Sequence, residues 1–455
     1  MRGICWLCVV PLCAAWAQDQ RHVSEPKIPP VCTTLPAALS SEHGKLASAD
    51  ERKLDTARIQ QALDGCSRGH SVELKSAGGR SAFLSGPLDL RAGVTLLVNE
   101  GVTLFASRDP RLYDVAPGVC GTVTRGGPRG CRALLNGNQV EGAGVMGSGT
   151  IDGRGGEKLL GPNGDENVTW WDLAEQARKG GIQNNFRILV LNRCDDFTLY
   201  KIHLKDSPNF HVSYNGGNGF TVWGVIIDAP KNARNTDGID PGTSTNVTIA
   251  HSFIRAGDDN VAIKAGTGSP TTHMTIAHNH FYYGHGMSIG SETNGGASAI
   301  RVTDLSIDGA DNGIRIKSNS ARGGLVHDIV YDDVCIRGTK NPLLFDTHYS
   351  GNGYVETGKN IPDFRDIVLR NVWIAGPGKI TLDGYDADRP LGITFDNVML
   401  SPAAPLQVIA QHAHIVLGPG PVNFRPMGDD VIMTGKPGSG KANSCEDKFV
   451  PFPIH

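Results

Sequence analysis

Eight-residue segments of one pattern recur along the second half of the chain, and a repeat of this kind constrains a fold more than any other feature. They read FTLYKIHL (Phe197–Leu204), FTVWGVII (Phe220–Ile227), VTIAHSFI (Val247–Ile254), MTIAHNHF (Met274–Phe281), IRVTDLSI (Ile300–Ile307), IVYDDVCI (Ile329–Ile336), IVLRNVWI (Ile367–Ile374) and ITFDNVML (Ile393–Leu400). Their starts are separated by 23, 27, 27, 26, 29, 38 and 26 residues. Positions one, three and eight are apolar in every copy, and the alternation at the start reads as a half-buried strand. Position five is often His, Asp or Asn, which suits a turn or an in-line polar stack.

A second short strand follows each middle copy: NVAIKA (Asn260–Ala265), GMSIGS (Gly286–Ser291), GIRIKS (Gly313–Ser318) and PLLFDT (Pro342–Thr347). Two or three short strands in about 27 residues, stacked at a fixed period, predict an all-β, right-handed parallel β-helix, a single-domain solenoid. A β-propeller would need roughly 40–50 residues and four strands per blade. VTLLVNEGVTLFAS (Val94–Ser107) and VEGAGVMGSGTIDGRG (Val140–Gly155) read as earlier coils. LDTARIQQALDGC (Leu54–Cys66) is the one convincing helix, with Leu54, Ala57, Ile59, Ala62 and Leu63 on one face, and is placed as an N-terminal cap over the open end of the solenoid. Length alone, 455 residues, would suggest about three domains. The 58 glycines, about twice the usual ~7%, instead fit the turns of one solenoid.

The first residues stand apart. Met1-Arg2 precedes an apolar run from Ile4 to Trp16 that ends Ala15-Trp16-Ala17, the layout of a signal peptide cleaved after Ala17. The mature domain would then be 18–455, exported to the periplasm or medium. Cys5, Cys8 and Cys13 leave with that peptide; Cys32, Cys66, Cys120, Cys131, Cys194, Cys335 and Cys445 remain. Seven is odd, so at least one is free or pairs between chains. Cys120–Cys131, bracketing a Gly-rich segment, is the best pair, and Cys32–Cys66 is next. No Cys or His spacing suits zinc. Net charge of -3 excludes a strongly cationic nucleic-acid binder.

The polar residues fall at similar phase on this lattice. Asp258 and Asp259 lie four and five residues after Ile254, and His285 lies four after Phe281. Arg315 and Lys317 lie eight and ten after Ile307, and a longer turn after Ile227 delivers Asn235-Thr236-Asp237. Stacked strands rise ~4.8 Å per coil, so these groups should form one column. In GIRIKS the inward Ile314 and Ile316 put Arg315 and Lys317 outward on the same side. Three clustered carboxylates are the ingredients of glycoside hydrolysis, because one must be protonated to supply the leaving oxygen and another ionised to activate water. Clustering raises one pKa, and two cations suit an acidic sugar.

Asn235-Thr236-Asp237-Gly238, Gly257-Asp258-Asp259, Gly284-His285-Gly286 and Arg315-Ile316-Lys317 together resemble, in order and spacing, the four signatures of the family 28 glycoside hydrolases, the polygalacturonases. GHGMSIGSET and NTDGIDP are similar to segments of its bacterial endo-acting members. The resemblance spans about residues 185–400. It implies hydrolysis of α-1,4-galacturonan (polygalacturonate, the pectin backbone) with inversion, without metal or organic cofactor, by a chain that acts as a monomer. Carried over by motif, Asp258 is the general acid, and Asp237 and Asp259 deprotonate the attacking water. His285 holds the acid's geometry and ionisation. Arg315 and Lys317 bind the galacturonate carboxylate beside the cleaved bond. Asn235 and, from a less firmly aligned loop, Tyr349 contact substrate. Exo-action, a rhamnogalacturonan backbone, a pectate lyase and a non-catalytic carbohydrate-binding β-helix are the competing functions.

Other features read as structural. Gly435–Lys441 mimics a phosphate-binding loop, but Ala442 stands where the magnesium-binding hydroxyl belongs. His211, His251, His278 and His280 are expected to be structural or exposed, with His273 and His348 left open. Asn167-Val168-Thr169 and Asn246-Val247-Thr248 are glycosylation sequons, meaningful in a eukaryotic secretory route. Trp170-Trp171 is read either as cleft lining or as packing.

Overall fold

The computed structural model describes residues 18–350, 358–401, 406–440 and 445–453. The proposed signal peptide and the Lys441-Ala442 pair lie outside these residues. The chain winds into a right-handed parallel β-helix, with position one of all eight segments in register: Phe197, Phe220, Val247, Met274, Ile300, Ile329, Ile367 and Ile393. Position eight stacks as well, from Leu204 through Ile227, Ile254, Phe281, Ile307, Ile336 and Ile374 to Leu400. The 38-residue interval therefore involves no slip of register. The segments predicted as earlier coils join the same ladder, with Leu96 beside Val145 and Val145 beside Leu199.

Position five carries a corner. Lys201, Gly224, His251, His278, Asp304, Asp333, Asn371 and Asn397 all have φ between +48° and +65°. Asn, Asp and His tolerate this left-handed conformation better than other side chains, and glycine tolerates it freely. The preference seen in the sequence is thus a backbone requirement. It bends each segment at mid-length and lets positions one, three and eight all face inward.

The second strands form a separate parallel sheet of 11 strands, from Leu88–Asp89 through Ile239–Gly242, Val261–Ile263, Met287–Gly290 and Asn312–Lys317 to Leu406–Gln411. Ile239, Val261, Met287 and Ile314 are successive partners on its inner side and are fully buried. Each such side chain contributes roughly 1.5–3 kcal/mol of burial.

Helix α1 (Thr56–Gly65) packs Ile59 and Leu63 into the N-terminal end of this core. Leu54 precedes the helix and is 41% exposed, and Ala57 is exposed too, so the buried face is narrower than the sequence suggested. A mostly exposed parallel strand, Val31–Pro36, adds the outermost layer against His70–Lys75. A second helix, α2 (Trp170–Ala177), was not expected from the sequence; Thr169 and Asp172 close a capping box at its start.

Cys32–Cys66 and Cys120–Cys131 are paired as anticipated. Cys335–Cys445 forms a third bridge, and the odd cysteine is the buried Cys194. The third bridge starts a C-terminal strap across several coils. Lys448 pairs with Asp304 and Asp333, Phe449 lies on Arg337, and Phe452 lies on Arg255.

Candidate active site

Two parts of each coil build the site. The 11-strand sheet supplies an outward row in which Ser288 is the register partner of Arg315, and Gly290 that of Lys317. The turns entering this sheet supply Asp237, Asp258, Asp259 and His285. These turns are tied across coils by buried polar groups. Thr236 Oγ accepts from Gly257 N (2.9 Å) and donates to Ala233 O (2.7 Å). Asn260, fully buried, donates to Ile254 O and Tyr283 O and accepts from Gly286 N. The Gly-His-Gly signature has a steric cause. Gly284 has φ +118°, and a Cβ there would lie 2.7 Å from Asp258 O; one on Gly286 (φ +72°) would lie 2.2 Å from Asn312 O.

The eight site residues anticipated from the sequence come together. His285 Nδ1 lies 2.9 Å from Asp258 Oδ1, and its backbone N donates to Asp258 O at 2.8 Å. Asn235 Nδ2 lies 3.4 Å from Asp258 Oδ2. Asp259 receives Arg315 Nη2, Lys317 Nζ (3.0 Å) and Ser288 Oγ (2.7 Å). Ser288 in turn accepts from Arg315 Nε at 3.0 Å. Lys317 Nζ sits 5.3 Å from the Tyr349 ring centre, and the Tyr349 backbone is held by Ser318 and Asn319. Asp237 is 3% exposed, and its Oδ1 has no hydrogen-bond partner among the described residues.

The electrostatics separate these carboxyls. Burial, then Asp240 and Asp258, raises Asp237 well above the usual carboxylate range. Burial would raise Asp258 too, but the hydrogen bond and charge of His285 outweigh it and hold Asp258 low. At Asp259 the burial is overcome by Arg315 and Lys317, which hold that carboxyl far down. Among the three carboxyls, Asp237 is thus shifted toward the protonated form, and Asp258 and Asp259 toward the ionised form. Burial lowers His211 to about 4, so this imidazole is neutral; its Nδ1 is 3.1 Å from Asp237 O and supports the turn.

Several residues of the site were missed by sequence reasoning. Ser288 had a signal, because it is in register with Arg315. Asp240 had one too: it follows the inward Ile239 and must face outward. Burial, opposed by Lys264, raises Asp240 to about 7, and neither of its oxygens has a hydrogen bond among the described residues. Lys264 Nζ stands 3.9 Å from Asp240 and 3.6 Å from Glu292. The cleft also includes Phe210 and Arg322, brought in from loops, and Trp171, from helix α2, none of which the repeat positions. Trp170 and Trp171 divide the two roles considered for them: Trp170 is fully buried against Tyr113 and Phe186, and Trp171 lines the cleft.

Asp258, Asp259 and His285 offer donor atoms within 4.8 Å of one another, enough to hold a metal ion by geometry. The donor set fits a cation poorly, because Arg315 and Lys317 already neutralise Asp259. A second such group, His327, Asp328 and Asp366, is mostly exposed and lies outside the cleft lining.

The arrangement can deliver a proton from one carboxyl, accept one on another and hold an anionic ligand. The family model for "Glycosyl hydrolases family 28" matches residues 66–414, a longer stretch than the signatures alone delimit. An endo-polygalacturonase of Pectobacterium parmentieri is 43% identical over 397 residues, covering 87% of this chain and 93% of that one. A polygalacturonase of Ralstonia solanacearum is 41% identical over 508 residues, covering 96% and 93%. The solved structure of a polygalacturonase from Erwinia carotovora ssp. carotovora superposes with a TM-score of 0.79 at 42% identity, covering 88% of this chain and all of that one. The match over most of the chain and the shared solenoid lead to one conclusion: this chain belongs to family 28 of the glycosyl hydrolases.

Proposed function

We propose that the chain is an endo-polygalacturonase that hydrolyses α-1,4-galacturonosyl bonds of polygalacturonate with inversion. The observation that carries this reading is the sorting of three neighbouring carboxyls into different partners: His285 for Asp258, two cations for Asp259, and none for Asp237 Oδ1 among the described residues. The 41–43% identical relatives named as polygalacturonases support the substrate.

Asp258 protonates the leaving glycosidic oxygen. Asp237 and Asp259 orient a water on the opposite face of the sugar and take its proton as it attacks the anomeric carbon. Catalysis needs the proton on Asp258, whereas the free site favours Asp237. Protons in such a cluster belong to the set. A sugar seated over Asp258 adds desolvation there, which moves that carboxyl toward the protonated form the acid needs. Arg315 and Lys317 bind the galacturonate carboxylate beside the scissile bond, which weakens their hold on Asp259 and makes it a better base. Asn235 and Tyr349 border that sugar. Export after cleavage at Ala17 accords with the three disulfides, and no helix among the described residues is long and apolar enough to cross a membrane.

The test compares viscosity loss with reducing-end release on polygalacturonate. Rapid viscosity loss per bond cleaved is expected. Slow loss with release of monomer would indicate exo-action, and an ultraviolet-absorbing unsaturated product would indicate a lyase.

A further inference from the structure

Trp171 occupies the cleft wall on the side away from Arg315 and Lys317. Its indole Nε1 donates to Ser207 O at 3.0 Å, and its backbone N donates to Gly155 O at 3.2 Å. The ring lies on a bed that only glycine permits. A Cβ on Gly155 would fall 2.4 Å from Nε1, and one on Gly156 would fall 2.5 Å from Cζ3. The helix that carries the ring is held at both ends. At its start are the Thr169–Asp172 capping box and the fully buried Trp170; near its end Arg234 Nη1 donates to Ala174 O at 2.8 Å. Arg234 directly precedes Asn235, so the wall and the catalytic turn are joined.

The ring is thus half-buried, fixed in place, and lines the cleft with its one polar hydrogen already bonded to protein. What remains to offer a ligand is an aromatic face, which suits the C–H face of a sugar ring and not a hydrogen-bonding group. A rigid aromatic costs little ordering on binding. Ser207 lies in the coil of Phe197, two coils before the coil of Val247 that carries Asp258. At ~4.8 Å per coil this anchor is on the order of 10 Å from the acid, too far to serve the sugar being cleaved.

We infer that Trp171 is a stacking platform for a distal galacturonosyl residue, on the side of the scissile bond opposite the sugar held by Arg315 and Lys317. It therefore sets how long a substrate must be for efficient cleavage and where a short one is cut. This rests on the polygalacturonase reading.

The test uses Trp171→Ala in the full chain, with polygalacturonate, tri-galacturonate and hexa-galacturonate as substrates. Loss of one well-placed aromatic anchor should raise KM on the polymer about tenfold. The ratio of polymer to trimer kcat/KM should fall by a similar factor, and the main cut in the hexamer should move. A purely structural role would lower Tm and leave both the ratio and the cut unchanged; that result would overturn the inference. If Trp171→Ala does not fold, Trp171→Leu keeps most of the volume without the aromatic face, and the same changes are expected. Failure of the wild-type enzyme to cleave polygalacturonate would instead sink the underlying reading.

Discussion

The solenoid carries two charged columns built on the same lattice, and they treat charge in opposite ways. On the outer face Asp152, Lys205, Asp228 and Arg255 are successive register partners, alternating in sign. Arg255 meets Asp228 through two bonds, of 2.6 and 2.8 Å. At the buried end Lys205 stands 3.9 Å from Asp152, and burial with Asp206 pushes Asp152 up to about 7. On the cleft side acids stand beside acids and Arg315 beside Lys317, while Asp237 and Asp240 keep oxygens without hydrogen bonds among the described residues. Alternation is the inexpensive solution for coils ~4.8 Å apart. The cleft departs from it, and there neighbouring carboxyls are pushed in opposite directions, Asp237 and Asp240 up and Asp259 down. The lattice does not force like charges together; the mechanism proposed for the cleft does.

The sharpest way to separate the columns is one Asp→Asn change in each. Asp258→Asn should lower kcat by roughly 10²–10⁴-fold, the usual contribution of a general acid, with Tm little changed. Asp228→Asn on the outer column should leave kcat within about twofold, because Asp228 is outside the cleft lining and touches none of the site carboxyls. A large kcat loss in Asp228→Asn would break the comparison.

Breaking an ion pair tests stability in the same way. Arg315→Ala leaves Asp259 buried with one cation fewer and should cost about 3–5 kcal/mol in denaturant unfolding, besides weakening polygalacturonate binding. Asp237→Asn should act in the reverse direction. The folded pKa of Asp237 is raised, so its penalty is absent below the unfolded value near ~3.9, grows as pH rises above that value, and levels off once the folded group has ionised as well. The variant should therefore be more stable than wild type at neutral pH, nearly equal to it at acid pH, and inactive. Equal stability at all pH values would show that Asp237 carries no such penalty. The smallest effect is expected for Arg255→Ala, about 1 kcal/mol or less in Tm-derived stability, because the pair with Asp228 is partly exposed.

The fold was legible because a solenoid writes its register into local sequence. Position one of FTLYKIHL and of ITFDNVML lie nearly two hundred residues apart, yet both are set by the same apolar demand of the coil beneath. For the same reason spacing alone places the ordered polar set from Asn235 to Lys317 in one column. Helix α2 is less legible: Thr169-x-x-Asp172 is a capping signal, but the helical pattern behind it is only 8 residues long. The Cys335–Cys445 bridge spans 110 residues and joins a coil to a tail, a pairing on which the repeat is silent.

By itself the sequence determined the parallel β-helix, the cysteine pairs near the N-terminal end and which polar residues share one column, because each depends on periodic spacing or short separation. Only the tertiary structure decided how charge is shared among those residues: that Asp259 takes both cations, that His285 takes Asp258, and that Asp237 is left with an oxygen unbonded. It also decided that Trp171, and not Trp170, faces the cleft. These outcomes depend on side chains meeting across coils and loops, where burial and distance, which no spacing rule encodes, set which group is charged and which surface is open.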